Sequence, residues 1–245
     1  MRTAIIADIH GNLVALDAAL AEIGAEGVEQ IVCLGDVAAT GPQPTQVLDR
    51  LRGLGCPLVM GNADAYLLDP KPTENAEGEQ QKIAEIDVWC AGQLSAEDRA
   101  FIAGFRPTAS VPLGNGVTLL AYHGSPRSFD EAVMVETPDE ALAEMLAGQT
   151  AQVFAGGHTH LQMLRRHRDT LILNPGSVGL PLDSLPPGRS IFNAPWAEYA
   201  VVAVDGSRLN VSLRRTPFDV DVLMRTAQVS GMPHADWWQA DWRHA

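Results

Sequence analysis

The sequence predicts an α/β protein built on a parallel sheet. Three observations carry this. Short apolar runs of strand length recur at residues 3–7, 30–34 and 57–60. Helix-length segments with an apolar stripe separate them. Each run ends directly before a polar, glycine-containing motif, and open α/β sheets place their ligands at such carboxyl ends.

The run 3–7 is continuously apolar, as expected of a strand buried on both faces. Asn12 can cap a helix over 13–23, with Leu13, Leu16, Leu20 and Ile23 on one stripe. A second strand covers 30–34. A second helix runs from Pro44, suited to a first helical position, and is stopped by Gly55. Residues 57–60 read as the third strand. This βαβαβ order predicts right-handed crossovers. Residues 69–81 are polar and contain Pro and Gly, so a loop is expected there. A helix follows over 82–94, and Ser95 with Asp98 forms a capping pair for another to about Ala103. Strands are expected at 117–122, 152–155 and 170–173. Between the first two lies a helix over 138–147, with Thr137 and Glu140 as a capping box. Residues 198–204 and 208–214 read as a hairpin around Asp205-Gly206, and Asp219 can cap a last helix over 220–230. Without a repeat, low-complexity tract or convincing boundary, the expectation is one domain over 1–245. Its helical segment at about 69–103 could cover a site.

Composition bounds the function. The 245 residues are 46% hydrophobic, ordinary for a globular domain with a substantial core. There are 17 basic and 30 acidic residues, a net charge of −13. Binding long nucleic acid needs a basic surface to replace counterions, so that class is excluded as an expectation. So is a membrane surface, since there is no basic amphipathic stretch. No run approaches spanning length, and residues 3–9 are too short for a secretory core. Cys33, Cys56 and Cys90 are scattered and odd in number. They read as reduced, mostly buried thiols in a cytoplasmic protein. Trp237, Trp238 and Trp242 crowd one end and should not be left in water. Docking onto the body of the same chain is the simpler expectation; a homo-oligomer contact is the alternative.

The motifs after the apolar runs carry the chemistry. They are Asp8-Ile9-His10, Gly35-Asp36, Gly61-Asn62, His123-Gly124 and Gly157-His158-Thr159-His160, flanked by Gly11-Asn12 and Asn174-Pro175-Gly176-Ser177. Four of the seven histidines lie inside them. Each motif alone is a common turn; their order and placement together point to a site. Carboxylate, amide oxygen and imidazole without thiolate suit Mn, Fe, Zn, Co or Ni and argue against a structural cysteine zinc site. Two divalent ions against Asp8 and Asp36 leave a net charge of roughly +2, which attracts phosphate. Two such ions can clamp a phosphate ester and generate a nucleophile from water at neutral pH.

In these motifs the chain resembles the calcineurin-like metallophosphoesterase superfamily, and most of all its small bacterial and archaeal phosphodiesterase branch. The resemblance runs from Met1 to about Val204. It implies a four-layer α/β/β/α sandwich of two mixed sheets flanked by helices. It implies a metal-dependent phosphodiesterase or other phosphoesterase acting on a small phosphate ester through a hydroxide held by two metals, manganese foremost. Asp8, His10 and His160 would hold the first metal; Asn62, His123 and His158 the second. Asp36 would bridge, with one carboxylate oxygen for each metal. Asp36, Asn62 and His123 would be the catalytic group. Beyond the resemblance, Asn12 reads as a helix cap with substrate contact as the alternative, and Arg127 reads as exposed, with reach to a phosphate oxygen as the alternative. His167, His234 and His244 read as surface residues.

One position departs from the family pattern. Where the family usually has His after Asn, this chain has Ala63, which cannot transfer a proton to a leaving group. Asp64, which orients that His elsewhere, is left to support the loop. The departure keeps one rival open, a non-catalytic scaffold of the same fold such as the retromer scaffold subunit; a second enzyme alternative is a dinucleoside polyphosphate hydrolase or protein phosphatase of the same superfamily.

Overall fold

The computed structural model describes residues 1–71, 77–184 and 191–243. In chain order the elements are β1 (Arg2–Ile6), α1 (Leu13–Ala25), β2 (Gln30–Cys33), α2 (Pro44–Leu54), α3 (Asn62–Leu68), α4 (Glu79–Gln93), α5 (Ala96–Ala103), β3 (Ala109–Gly114), β4 (Val117–Ala121) and α6 (Asp139–Met145). There follow β5 (Val153–Ala155), β6 (Met163–His167), β7 (Thr170–Asn174), β8 (Leu182–Ser184), β9 (Ile191–Asn193), β10 (Trp196–Asp205), β11 (Arg208–Pro217), α7 (Val220–Val229) and α8 (Ala235–Gln239).

Two large mixed sheets form the centre. One has the order β11-β10-β1-β2, the other β3-β4-β5-β7-β6. β1 and β2 are parallel, as are β4, β5 and β7, while β10, β3 and β6 run antiparallel to their neighbours. Residue alternation builds the layers. Ile5, Ala7, Val32 and Leu34 face Leu119, Ala121, Val153 and Ala155 in one buried cluster between the sheets. The opposite faces turn outward: Ala4 and Ile6 pack under α1 and α2, and Leu120, Tyr122 and Phe154 pack with Leu142 of α6. This is the α/β/β/α sandwich. Burying each such Ile or Leu contributes about 1.5–3 kcal/mol, and period-two strands can fill two cores at once.

Local signals act as expected at several helices. Asn12 caps α1 by accepting from Ala15 N–H at 3.0 Å. Gly55, at φ 61°, ends α2 in the left-handed conformation that glycine adopts without a Cβ penalty. Ser95 and Asp98 form the capping box of α5, and Asp219 caps α7.

Three expectations need correction. Residues 57–60 make only isolated bridges, Cys33 to Leu58 and Val59 to Arg106, because the chain turns at once into α3. The hydroxyl of Thr137 accepts from Met134 N–H, so α6 begins at Asp139 without a side-chain cap. His167 is buried and bonds Asp139 through Nδ1 at 3.2 Å. Within segment 69–103, α4 packs against α2 and α3; residues 72–76 lie outside the described residues, as does His244. Trp238 and Trp242 are buried within the chain, where Trp242 packs edge-on to Phe218. Among the described residues no helix is long and apolar enough to cross a membrane.

Candidate metal centre

The parallel strands of both sheets deliver the polar motifs to one place. Asp8 and His10 follow β1, Asp36 follows β2, His123 follows β4, and His158 and His160 follow β5. Asn62 opens α3. One ligand atom from each of Asp8, His10 and His160 lies within 4.8 Å of the others, and the same holds for Asp36, His123 and His158. Asn62 Oδ1 joins the second group, 3.0 Å from both His123 Nε2 and His158 Nδ1. All seven residues singled out as ligands from sequence therefore converge.

Asp36 stands between the groups in a way the sequence does not reveal. Its Oδ2 is 3.3 Å from His123 Nε2 and 3.9 Å from His10 Nε2. Its Oδ1 accepts from Ala63 N–H at 2.9 Å. A single oxygen thus faces both groups, in place of one oxygen for each.

Three of the imidazoles are held with Nε2 inward. The Nδ1–H groups of His10, His123 and His160 donate to Ala39 O (3.2 Å), Leu34 O (2.8 Å) and Leu180 O (2.8 Å). Such outer bonds fix tautomer and ring orientation at metal sites. They also create a conflict. His10 Nε2 and His160 Nε2 lie 3.1 Å apart, each already donating through Nδ1. In the neutral rings two lone pairs face each other, and a cation between them resolves this. The donor set and its geometry fit divalent metals.

Electrostatics agree. Burial pushes the Asp8 carboxyl above its ordinary range, with Asp36 adding to the effect. Burial likewise raises Asp64, again helped by Asp36. Burial would raise Asp36 too, but His123 outweighs it and, with His10 and Ala63 N–H, holds that group low. Burial would lower His123, yet Asp36 and Asp8 overcome it and raise the imidazole. His160 is pushed down to about 3 by burial, with His10 contributing. Without cations, one imidazole thus supplies the positive charge for a cluster of buried carboxylates.

The backbone is strained at this point. Asp8 (φ 54°), His10 (47°), Asp36 (52°), His158 (70°) and His160 (57°) all lie in the left-handed region. Non-glycine residues there cost of order 1–3 kcal/mol each and persist only where surrounding contacts over-determine them. Those contacts are present. The Asp64 carboxylate accepts from Asp36 N–H (2.7 Å), Val37 N–H (2.9 Å) and Gly61 N–H (3.2 Å), the supporting role expected for it. Ser177 Oγ donates to Asp8 O at 2.6 Å, which ties the 174–179 turn to the first ligand. Two glycines are obligatory by close approach: a Cβ at Gly61 would stand 2.0 Å from Asp36 Oδ1, and one at Gly157 would stand 2.8 Å from Asp8 Oδ2.

Asn12 and Arg127 both stand as their first readings had them, a helix cap and an exposed arginine. Asn12 is fully buried and uses both ends, capping α1 and donating to Gly179 O at 3.0 Å. Arg127 is half-exposed and its guanidinium is committed to Glu131 at 2.7 Å. Sequence reasoning missed the carbonyls of Leu34, Ala39 and Leu180, which carry no side-chain signal.

With this geometry in view, a family model described as the calcineurin-like phosphoesterase superfamily domain matches residues 1–194. The chain is similar to the crystal structure of a metallophosphoesterase from Sphaerobacter thermophilus, with 25% identity, a TM-score of 0.75 and 98% of each chain covered. It is 26% identical to an uncharacterized protein of Methanocaldococcus jannaschii over 199 residues, 74% of this chain and 78% of that one. A shorter stretch of 71 residues is 41% identical to a symmetrical bis(5'-nucleosyl)-tetraphosphatase of Pectobacterium carotovorum, covering 28% of this chain and 25% of that one.

Proposed function

We propose that this chain, which belongs to the calcineurin-like phosphoesterase superfamily of metal-dependent phosphate-ester hydrolases, is a phosphodiesterase acting on a small phosphate ester with two divalent cations. The observation that carries this is the convergence of two three-residue ligand groups on one shared carboxylate oxygen, Asp36 Oδ2. Asp8, His10 and His160 would hold one cation; Asn62, His123 and His158 the other; Asp36 would join them. Bound there, the cations supply Lewis acidity at a phosphoryl oxygen and a nucleophile from water at neutral pH. Mn²⁺ is our first assignment, since the ligands are oxygens and imidazoles.

The chain's own residues act by orientation. Leu34 O and Ala39 O hold the His123 and His10 rings with Nε2 inward. Asp64 fixes the turn that presents Asp36, and Ala63 N–H keeps Asp36 Oδ1 occupied so that Oδ2 faces the site. Ala63 itself offers no proton to a leaving group. Diesters and anhydrides with good leaving groups are therefore favoured over poorly activated monoesters. The local similarity to a bis(5'-nucleosyl)-tetraphosphatase supports a second reading, a dinucleoside polyphosphate, because a phosphate leaving group needs little proton help. The scaffold reading is disfavoured: a scaffold has no need of four converging histidines, three of them held with Nε2 inward by backbone carbonyls. The chain's acidity favours a small substrate over long nucleic acid, and we place it in the cytoplasm.

The test is a series of aryl phosphate diesters of graded leaving-group pKa. Rates of the wild type should fall steeply as that pKa rises, and Ala63→His should flatten the dependence. General-acid help is worth about 10²–10⁴-fold, so the contrast is large. A flat dependence in the wild type would contradict the absence of a proton donor.

A further inference from the structure

The loop after Asp36 contains a second strained position that the metal ligands do not explain. Thr40 has φ 62°. For a β-branched residue this is a genuine outlier, since its Cβ substituents crowd the following peptide. Three groups from two remote helices grip it and its neighbour. Thr40 Oγ1 donates to Asp87 of α4 at 2.8 Å. Cys90 of α4 lies 3.5 Å from Gly41 O through Sγ. Trp238 of α8 donates Nε1–H to Thr40 O at 2.9 Å. Asp87, Cys90 and Trp238 are all buried.

The gripped loop touches the metal centre. The residue before Thr40 is Ala39, whose carbonyl accepts the Nδ1–H of His10. Gly41 lies so close that a Cβ on it would stand 1.8 Å from His10 O. Any relaxation of Thr40 out of the left-handed region swings the peptide that orients His10. Residues in such conformations hold only while surrounding contacts over-determine them.

We propose that Asp87 and Trp238 are positioning residues for the His10 metal site, clamping Thr40 in its strained conformation so that Ala39 O holds the His10 ring. The inference rests on the two-metal reading and deepens it. The family match ends at residue 194, so α8 adds to this chain a support for its metal centre that the matched residues do not contain.

The test is calorimetric titration of metal-free protein with Mn²⁺, which reads binding without activity. Trp238→Phe keeps an aromatic ring but removes the donor. Trp242→Phe is the control: Trp242 packs against Trp238, and its Nε1 makes no hydrogen bond among the described residues. Loss of a partner bonded directly to a ligand typically weakens metal binding by about 10–100-fold; Trp238 acts through Thr40 on such a partner, Ala39 O, so the low end, about 10-fold, is the scale. We expect Trp238→Phe to weaken one of two binding events by that factor while Trp242→Phe leaves both near wild type. Asp87→Ala should do the same as Trp238→Phe, and Asp87→Asn, which retains an acceptor oxygen, should recover. Thr40→Gly added to Trp238→Phe should also restore affinity, because glycine adopts φ 62° without strain. A merely structural role for the tryptophan predicts no such rescue. Wild-type affinity in Trp238→Phe, equal losses in both tryptophan variants, or no recovery with Thr40→Gly would overturn the proposal. Failure of the wild type to bind Mn²⁺ at all would overturn the two-metal reading as well, and so distinguishes the two failures.

Discussion

At the residue scale, the same side-chain types serve opposite ends according to what they touch. Asp36 and Asn12 are both buried polar residues in loops beside the site, yet one faces two ligand groups and the other caps a helix. Asp36→Asn should therefore cost about 10²-fold or more in kcat, the scale seen when a placed electrostatic group is removed. Asn12→Ala should mainly destabilise, by about 1 kcal/mol for the lost cap. Steady-state rates corrected for folded fraction check this; equal losses would contradict the assignment of Asp36. Glu198 offers a pH-dependent prediction outside the metal centre. Burial raises its carboxyl from 4.5 to about 7, although Arg215 opposes the rise. Between those values the folded chain keeps a proton that the unfolded chain has lost. Stability must then fall as pH rises through that window. Denaturant unfolding of the metal-free protein should show Glu198→Gln gaining on wild type from pH 4.5 to about 7 and running parallel above it. A constant difference across the window would contradict the buried carboxyl.

At the element scale, short helices depend on their caps. Ser95 Oγ accepts from Asp98 N–H at 3.1 Å, and Asp98 returns the bond to Ser95 N–H at 2.9 Å. Ser95→Ala should lower unfolding stability by about 1 kcal/mol, with metal binding unchanged, as read by denaturation midpoints at constant slope. Elements of this kind were legible because their signal is local. The strands that end in ligands were legible too, since each short apolar run stops at a motif. Elements without such punctuation were not. The α3 helix hides behind Asn62-Ala63-Asp64, which read as the end of a strand rather than a helix start. β3 carries a proline and ends in glycine, and β6 is an edge strand whose outward positions include Arg166. Neither shows an apolar run. The Thr137 cap failed because a nearer donor, Met134 N–H, captured its hydroxyl.

At the scale of the whole molecule, the site exists because two sheets pack with the carboxyl ends of their parallel strands at one edge. Ligand identity was legible in the sequence, because residue type and order survive folding. What was not legible depends on distance in space. The shared Asp36 oxygen is set by Ala63 N–H, the tautomers by backbone carbonyls, and the Thr40 clamp by a tryptophan 198 positions away. The central claim is that this architecture assembles a two-cation phosphoesterase centre. The most direct measurement is metal content against turnover: the chelated, metal-free protein is titrated with Mn²⁺ while hydrolysis of an activated phosphate diester is followed. The account predicts no turnover without metal and full activity only as the second equivalent per chain binds. Undiminished turnover in protein shown to be metal-free, or full activity at one equivalent, would contradict it.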